Sequence, residues 1–235
     1  MTKKSKSKLE FAIEEMQSRG IETVIEDLAA SYSTDLEARM DTRKKEMKMD
    51  NKEHYLVYRV LGVSADEGDA IDLYQNEGRF LYKYAGSFME DAAHLCFVNK
   101  YGVKNARKVK IPNTIGRRPK QYEIDCLVNK DAHEIKWRDA TTDGDHILKE
   151  NTRIKVVKNA GYIPIRVMFF RPNRKQSQKI QDTLETLYHG IGGKYYAGDD
   201  AWQYIHDYTD VNLKEILEKI ALKNERKNID GSQTR

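Results

Sequence analysis

The chain contains 235 residues, of which 39% are hydrophobic and 33% charged, with a formal net charge of +4. This length can bury a core as one large domain, or as a domain with a helical extension. The two cysteines offer neither a disulfide framework nor a zinc spacing, and no apolar run near the N-terminus suits a signal peptide or membrane span. We therefore expect a cytoplasmic protein that does not contact membranes.

The helical pattern begins near the N-terminus. Apolar residues at helical intervals predict a helix over 9–28, and the charged stretch 35–48 is also helix-prone. We expect a helical N-terminal extension over residues 1–54 and one continuous globular domain over residues 55–235.

Two further helices are predicted before the first strand. Ser64 is followed by Glu67 three residues later, a capping-box pattern that begins a helix reaching about Glu77. A second helix is predicted over 80–99, with its apolar side chains packed on a sheet and Glu90 on a different side.

The second half of the chain alternates strands and helices. Strands are predicted over 109–111, 122–125, 132–137 and 163–170, and a helix over 145–160. This order predicts an α/β fold of the restriction-endonuclease-like type, with a central mixed β-sheet flanked by helices. The glycine-rich segment from Gly190 to Gly198 lacks the ending of a P-loop and is interpreted as a loop.

The charge is unevenly distributed along the chain. The segments 100–122 and 151–179 each contain eight Lys or Arg and no acidic residue, so the remainder of the chain carries −12. Such a distribution favours a polyanionic partner such as nucleic acid, although charge runs are usually solvated surfaces.

The predicted hairpin between the two basic segments carries three residues suited to hydrolysis. Asp125 lies on its first strand, and Glu134 and Lys136 lie on its second. Two neighbouring carboxylates bind a hard divalent cation, and an ammonium group can orient the attacking water. The spacing therefore indicates metal-dependent phosphodiester hydrolysis. Glu123 is a competing acidic residue, which we expect to be solvated or to lie outside the ligand set.

The register of the hairpin decides whether this site can form. A loop of two residues (129–130) or four places Asp125 opposite Glu134, whereas a three-residue loop places it on the wrong face unless a bulge corrects it. We predict an even loop or a bulge, with Ile124 and Ile135 on the opposite face.

The hairpin also resembles a known pattern. Ile124-Asp125 with Glu134-Ile135-Lys136 resembles the signature of PD-(D/E)XK nucleases, with Ile124 where the family often has proline. The run 134–146, with 82–88 upstream, is similar to the ApaLI-like group of Type II restriction endonucleases. The similarity extends from about Tyr55 to Trp202.

This resemblance implies roles for four residues. Asp125 and Glu134 would bind Mg²⁺, Lys136 would assist the water, and Glu90 would be a further catalytic acid on the helix before the hairpin. It also implies double-stranded DNA as substrate, cleavage at a short palindrome such as a GTGCAC-like site, and products with 5′-phosphates. The partners it implies are a second copy of the chain in a homodimer and a cognate DNA methyltransferase that protects host DNA.

Residues that contact DNA are expected in two loops. Arginine pairs bidentately with guanine and asparagine with adenine, so base readout is predicted for Arg117, Arg118, Arg138 and Asn113. Other lysines and arginines of the basic segments are expected to contact phosphates. The candidates in the loop after Trp137 are Asp139, Thr141, Thr142, Asp143 and His146.

Two other functions remain open, namely a repair or recombination nuclease of the same fold and a DNA-binding protein without catalysis. The segment 139–150 also matches much of a calcium-binding EF-hand loop. However, Thr141 is a weak ligand at the third position, and a predicted strand, not a helix, enters the segment.

Overall fold

The structure is a computed structural model that describes residues 6–232, and within this range it contains eight helices and five strands. The residues form two compact units, one comprising the chain up to Glu26 and from Met89 onward, the other comprising Asp27–Phe88. The expected domain boundary at residue 54 stays a prediction. No helix of the described chain is both long and apolar enough to cross a membrane.

The first two helices are separated by a glycine. α1 (Lys8–Arg19) ends before Gly20, whose φ of 78° lies in a backbone region that residues other than glycine rarely adopt. α2 (Ile21–Met47) follows at once. The helix predicted over 9–28 is therefore interrupted at Gly20, and the helix predicted over 35–48 is a continuation of α2.

α4 (Ala65–Tyr101) is a single helix of 37 residues where the sequence predicts two. It begins at the predicted capping box, in which Ser64 Oγ accepts from the Glu67 N–H at 3.2 Å and the Glu67 carboxylate accepts from the Ser64 N–H at 2.8 Å. Gly78 lies at the expected boundary. A glycine inside a helix is less favourable than alanine by only about 1 kcal/mol, which does not end this helix.

The short helix α3 (Tyr55–Val60) packs on the first turns of α4. Tyr55 Oη donates to Asp69 at 2.7 Å, and Tyr58 Oη donates to Asp72 at 3.0 Å. These bonds lie within the unit Asp27–Phe88.

The remaining elements form one mixed five-stranded sheet and its helices. The strands lie side by side in chain order, with β1–β2–β3 antiparallel and β3–β4–β5 parallel. The predicted α/β fold with a mixed sheet flanked by helices is confirmed. The strands are β1 (Ala106–Pro112), β2 (Gln121–Val128), β3 (Asp131–Arg138), β4 (Ile163–Phe170) and β5 (Lys194–Ala197); the helices are α5 (Asp145–Asn159), α6 (Lys175–Gly190), α7 (Asp199–Thr209) and α8 (Leu213–Ser232).

Helices cover both faces of this sheet. On one face, Val156 and Val157 of α5 pack against Ile124 and Ala132. On the other, Phe97 of α4 lies 4.5 Å from the ring of His133, measured between centroids. Because Ala132 and His133 are consecutive strand residues, these contacts lie on opposite faces. The hairpin is therefore held between two helical layers.

Candidate functional site

The β2–β3 turn has the even length that the sequence predicts. The ladder leaves two turn residues, 129–130. The last pair before the strands separate is Cys126–His133, so the paired ladder stops one position before Asp125 and Glu134. The predicted even loop is confirmed, but the ladder does not pair Asp125 with Glu134.

Beyond that pair the two strands are joined through a side chain. The Ile135 N–H donates to the Asp125 carboxylate at 2.8 Å. Both acids are almost fully buried, since Asp125 is 7% and Glu134 4% exposed. We call this place, formed by Asp125, Glu134 and Lys136, the fork.

A bulge in β2 changes which face its side chains occupy. The pairing of β1 with β2 shifts between Arg107–Leu127 and Val109–Ile124, which gives β2 one extra residue. Ile124 and Leu127 therefore point to the same face, toward α5. The expectation that Ile124 lies opposite Glu134 is wrong, because both residues line one small cavity beneath α5.

Three carboxylates meet beside the fork. One oxygen each of Glu90, Glu123 and Asp125 lie within 4.8 Å of one another, so among the described residues these three could share a metal ion. Glu123 is therefore among the candidate ligands, contrary to the expectation, whereas Glu134 is not part of this group. Burial, and then the charge of Asp125, raise the pKa of Glu90 above its ordinary value against the opposing effect of Lys108. Carboxylates this close repel each other unless a cation neutralises them, so the donor set fits a hard divalent ion.

Sequence reasoning missed Lys108 on β1. Its Nζ lies 2.5 Å from Glu90 and 3.3 Å from Asp91. Burial acts to lower the pKa of Lys108, but its hydrogen bond to Glu90 and the charges of Glu90 and Asp91 raise it overall. Lys108 therefore supplies positive charge next to the carboxylate group.

Glu134 contacts two basic side chains. Lys136 Nζ lies 2.5 Å from Glu134 Oε1, and the Arg153 guanidinium contacts Glu134 Oε2. Arg153 lies on α5 and also donates to the backbone carbonyl of Glu123. Sequence reasoning missed Arg153 as well, because no local pattern in a basic helix indicates which side chain reaches a strand.

Several candidate DNA contacts lie at one end of the sheet. The loop 113–120 joins β1 and β2 at the end where the fork lies, and the loops 139–144 and 171–174 leave the sheet at that same end after β3 and β4. The exposed candidates in these loops are Arg117, Arg118, Thr142 and Asp143, while Arg138 and Thr141 are half-buried.

Asn113 organises its own loop. Its side-chain oxygen accepts from the Ile115 N–H at 3.1 Å and the Gly116 N–H at 2.9 Å, and its amide donates to the Pro119 carbonyl at 2.8 Å. Because that oxygen already accepts two bonds, bidentate pairing with adenine would require the loop to change.

The start of the loop after β3 is turned inward. Asp139, expected to face DNA, lies 2.5 Å from Arg166 and 2.9 Å from His146. Burial acts to raise the pKa of Asp139, but His146 and Arg166 hold it below its ordinary value. Arg166 itself is fully buried and so cannot contact a phosphate, although it belongs to the second basic segment. His146, a predicted DNA contact, is therefore engaged in holding the loop.

Hydrogen bonds from α6 fix the rest of this loop. Gln176 donates to the Thr142 carbonyl at 2.8 Å, and Ser177 donates to the Ala140 carbonyl at 3.0 Å. The Thr141 hydroxyl accepts from the Asp143 N–H at 3.2 Å. The loop therefore has a defined shape, and it is not entered by a helix as an EF-hand loop would be.

The protein is an α/β protein with a mixed sheet. Its buried carboxylates and a lysine lie where two antiparallel strands of that sheet separate. The family model of ApaLI-like restriction endonucleases matches residues 14–222. The chain therefore belongs to the ApaLI-like restriction endonuclease family, whose members are endonucleases that act on DNA. No curated protein and no solved structure matched the chain.

Proposed function

We propose that the protein is a Type II restriction endonuclease that hydrolyses both strands of double-stranded DNA at a short palindrome, with Mg²⁺ as cofactor. The observation that carries this proposal is the fork, where Lys136 Nζ lies 2.5 Å from buried Glu134 and buried Asp125 accepts from the Ile135 N–H, in a chain of the restriction endonuclease family. A GTGCAC-like site is the proposed recognition sequence.

The residues present fit a magnesium ion. Asp125 and Glu134 are the proposed ligands, and Glu90 and Glu123 offer further carboxylate oxygens beside Asp125. Bound Mg²⁺ would supply Lewis acidity and neutralise charge on the scissile phosphate. Oxygen donors of this kind are the ligands that Mg²⁺ prefers.

Lys136 is the proposed catalytic partner of these acids. Its ammonium group, about one-third exposed, is held 2.5 Å from Glu134 and so has access to solvent from a fixed position. From there it can orient the attacking water and stabilise negative charge on the phosphate. The exposed Arg117 and Arg118 at the same end of the sheet are the proposed base contacts, because a guanidinium can pair with both acceptors of guanine.

The proposed assembly follows from the substrate. A two-fold symmetric homodimer matches a palindromic site and places one fork at each strand. A cognate DNA methyltransferase is the proposed partner activity, since the host genome contains the same short sequence.

The test compares wild-type protein with Lys136→Ala on long DNA with Mg²⁺, followed by sequencing of the ends. Wild type is expected to give discrete fragments, and Lys136→Ala to cut about 10²–10⁴-fold more slowly while still shifting DNA in a gel. The matched control is Lys130→Ala, which removes an exposed lysine from the turn of the same hairpin and should cut like wild type.

Other outcomes would identify the alternatives. Smeared products, or a preference for branched DNA, would favour a repair or recombination nuclease. A gel shift without any cutting by wild type would favour a DNA-binding protein. Unchanged cutting by Lys136→Ala would remove Lys136 from the proposed site.

A further inference from the structure

Arg153 joins both strands of the fork. Its guanidinium contacts Glu134 Oε2 on β3 and donates to the Glu123 carbonyl on β2. The contact with Glu134 is largely shielded from water, since the Arg153 side chain is 18% and the Glu134 side chain 5% exposed. A planar guanidinium can serve two acceptors at once, which a lysine ammonium at the end of a flexible chain does less well.

The position of this bridge is specific to the fork. The last pair of the β2–β3 ladder is Cys126–His133, and beyond it Asp125 accepts from the Ile135 N–H. The carbonyl that Arg153 binds and the carboxylate that it contacts both lie beyond that last pair. Arg153 therefore replaces backbone pairing where the two acid-bearing strands have separated.

Apolar side chains next to Arg153 anchor α5 on the sheet. Ile154, Val156 and Val157 are 1%, 1% and 4% exposed and lie in the core clusters beneath the helix. Because those apolar contacts hold α5 against the sheet, we expect the Arg153 guanidinium to affect mainly the position and charge of Glu134.

The charge at Glu134 is also distinctive. One carboxylate contacts two cations, Lys136 at 2.5 Å and Arg153. A divalent ion that approaches Glu134 must therefore compete with positive charge already present. The geometry fixes the carboxylate while reducing its attraction for a cation.

We propose that Arg153 is a positioning residue: it sets the distance of Glu134 from β2 and limits the affinity of Glu134 for a divalent cation. The inference rests on the proposed function, because it assigns Arg153 to the same hydrolytic site. Arg153 acts through Glu134 and does not itself contact the reacting atoms.

The test measures cation binding and cleavage separately. Mn²⁺ alone, without DNA, is titrated into the full-length protein and followed by electron paramagnetic resonance. Arg153→Ala is expected to bind Mn²⁺ about threefold to tenfold more tightly, because Glu134 has lost one of its two cations. Its kcat should fall about 10–100-fold, because Glu134 is no longer positioned, while KM for DNA stays within about twofold.

Two further variants separate charge from geometry. Arg153→Lys keeps the charge but not the two-acceptor geometry, so its Mn²⁺ affinity should stay near wild type while kcat falls. Arg153→Gln removes the charge while keeping a donor for the Glu123 carbonyl, and it replaces Arg153→Ala if that variant does not fold. The matched control is Lys149→Ala, which removes an exposed positive charge from the same helix and should change neither quantity.

The outcomes distinguish this inference from the proposed function. If wild type cuts DNA and the Arg153 variants match Lys149→Ala in Mn²⁺ affinity and kcat, the inference is wrong and the function stands. If wild type does not cut but Arg153→Ala and Arg153→Gln still bind Mn²⁺ more tightly, the function is wrong and the effect of Arg153 on Glu134 stands.

Discussion

At the scale of single residues, Arg166 on β4 shows how the structure accommodates a charge in its interior. The side chain is fully buried, and its guanidinium lies 2.5 Å from Asp139 and 3.3 Å from Glu150. Glu150 also accepts from Tyr188 Oη at 2.6 Å. A buried guanidinium is tolerated only while such partners remain, so the network links the loop after β3 to α5 and β4.

Removing Glu150 should therefore be costly. Glu150→Ala leaves Arg166 with part of its charge uncompensated, and we expect the free energy of unfolding to fall by about 3–5 kcal/mol in urea denaturation. Glu218→Ala, which truncates an exposed glutamate on α8, should stay within about 0.5 kcal/mol of wild type. Equal effects of the two substitutions would contradict a stabilising role for the buried network.

His133 should make stability depend on pH. Burial lowers its pKa to about 4, and its ring contacts the Cys126 carbonyl at 3.0 Å and Tyr204 Oη at 2.8 Å. Since the carbonyl can only accept, Nδ1 carries the proton and Nε2 accepts from Tyr204. The folded protein thus holds a neutral imidazole, whereas the unfolded chain binds a proton near pH 6.5.

The sign of this effect follows from the proton balance. The stabilisation is fully present above about pH 6.5 and is lost as the pH falls toward 4, by a few kcal/mol. Urea denaturation at several pH values should show it. His133→Gln should be less stable at pH 7 and show a weaker pH dependence between 6.5 and 4, whereas the exposed His206→Gln should keep the wild-type dependence. An unchanged slope in His133→Gln would remove His133 as the cause.

The sequence allowed us to predict which residues of one hairpin lie near each other, but not which side chains reach the site from distant elements. Asp125, Glu134 and Lys136 lie in one hairpin, so their spacing placed them near the same end of the sheet, while their shared role stays a prediction. Lys108 and Arg153 reach the site from β1 and α5, and their positions depend on packing and on the bulge in β2. The same bulge placed Ile124 on the unexpected face.

At the scale of elements, the hairpin turn fixes the register of the fork. Asn129, the first of its two residues, has a φ of 54°, a left-handed conformation that asparagine and glycine tolerate better than other residues. The turn and its two strands therefore favour the same register.

Asn129→Val should be destabilising. A β-branched side chain in this conformation is strained, and we expect a loss of about 1–2 kcal/mol in the free energy of unfolding. Asn129→Gly should stay close to wild type, because glycine adopts the conformation without strain. Thermal or urea denaturation of the two variants gives the comparison; equal losses would show that the side chain of Asn129 has a role beyond its backbone conformation.

The limits of elements were harder to predict than their existence. Gly20 interrupts a predicted helix because its φ is positive, whereas Gly78 remains inside α4. Neither outcome follows from composition. β5 is only four residues long and pairs with β4 at the edge of the sheet, so the glycine-rich segment around it gave no strand pattern.

At the scale of the whole molecule, charge differs between the two compact units. Asp27–Phe88 contains nine basic and twelve acidic residues, a net charge of −3. Because the whole chain carries +4, the other unit carries +7. Within the more basic unit, the two ends of the sheet also differ. The fork and three loops lie at one end, and the β2–β3 turn lies at the other.

This asymmetry gives a test of which end meets DNA. Arg171 and Arg174 are exposed in the loop after β4 at the fork end, whereas Lys104 and Lys130 are exposed at the turn end. Binding of short duplex DNA is measured by fluorescence anisotropy at several salt concentrations, without divalent cations. Replacing both arginines by glutamine should reduce the slope of log K against log salt by about 1–2, because each phosphate contact contributes about 0.9.

The matched variant carries Lys104→Gln and Lys130→Gln, which remove the same charge from the same unit. It should keep the wild-type slope, because its lysines lie away from the fork. If both double variants lowered the slope equally, affinity would depend on net charge alone, and the fork end would not be the DNA-binding face. A loss confined to the arginine variant would place the phosphate backbone across the end of the sheet where Asp125, Glu134 and Lys136 gather.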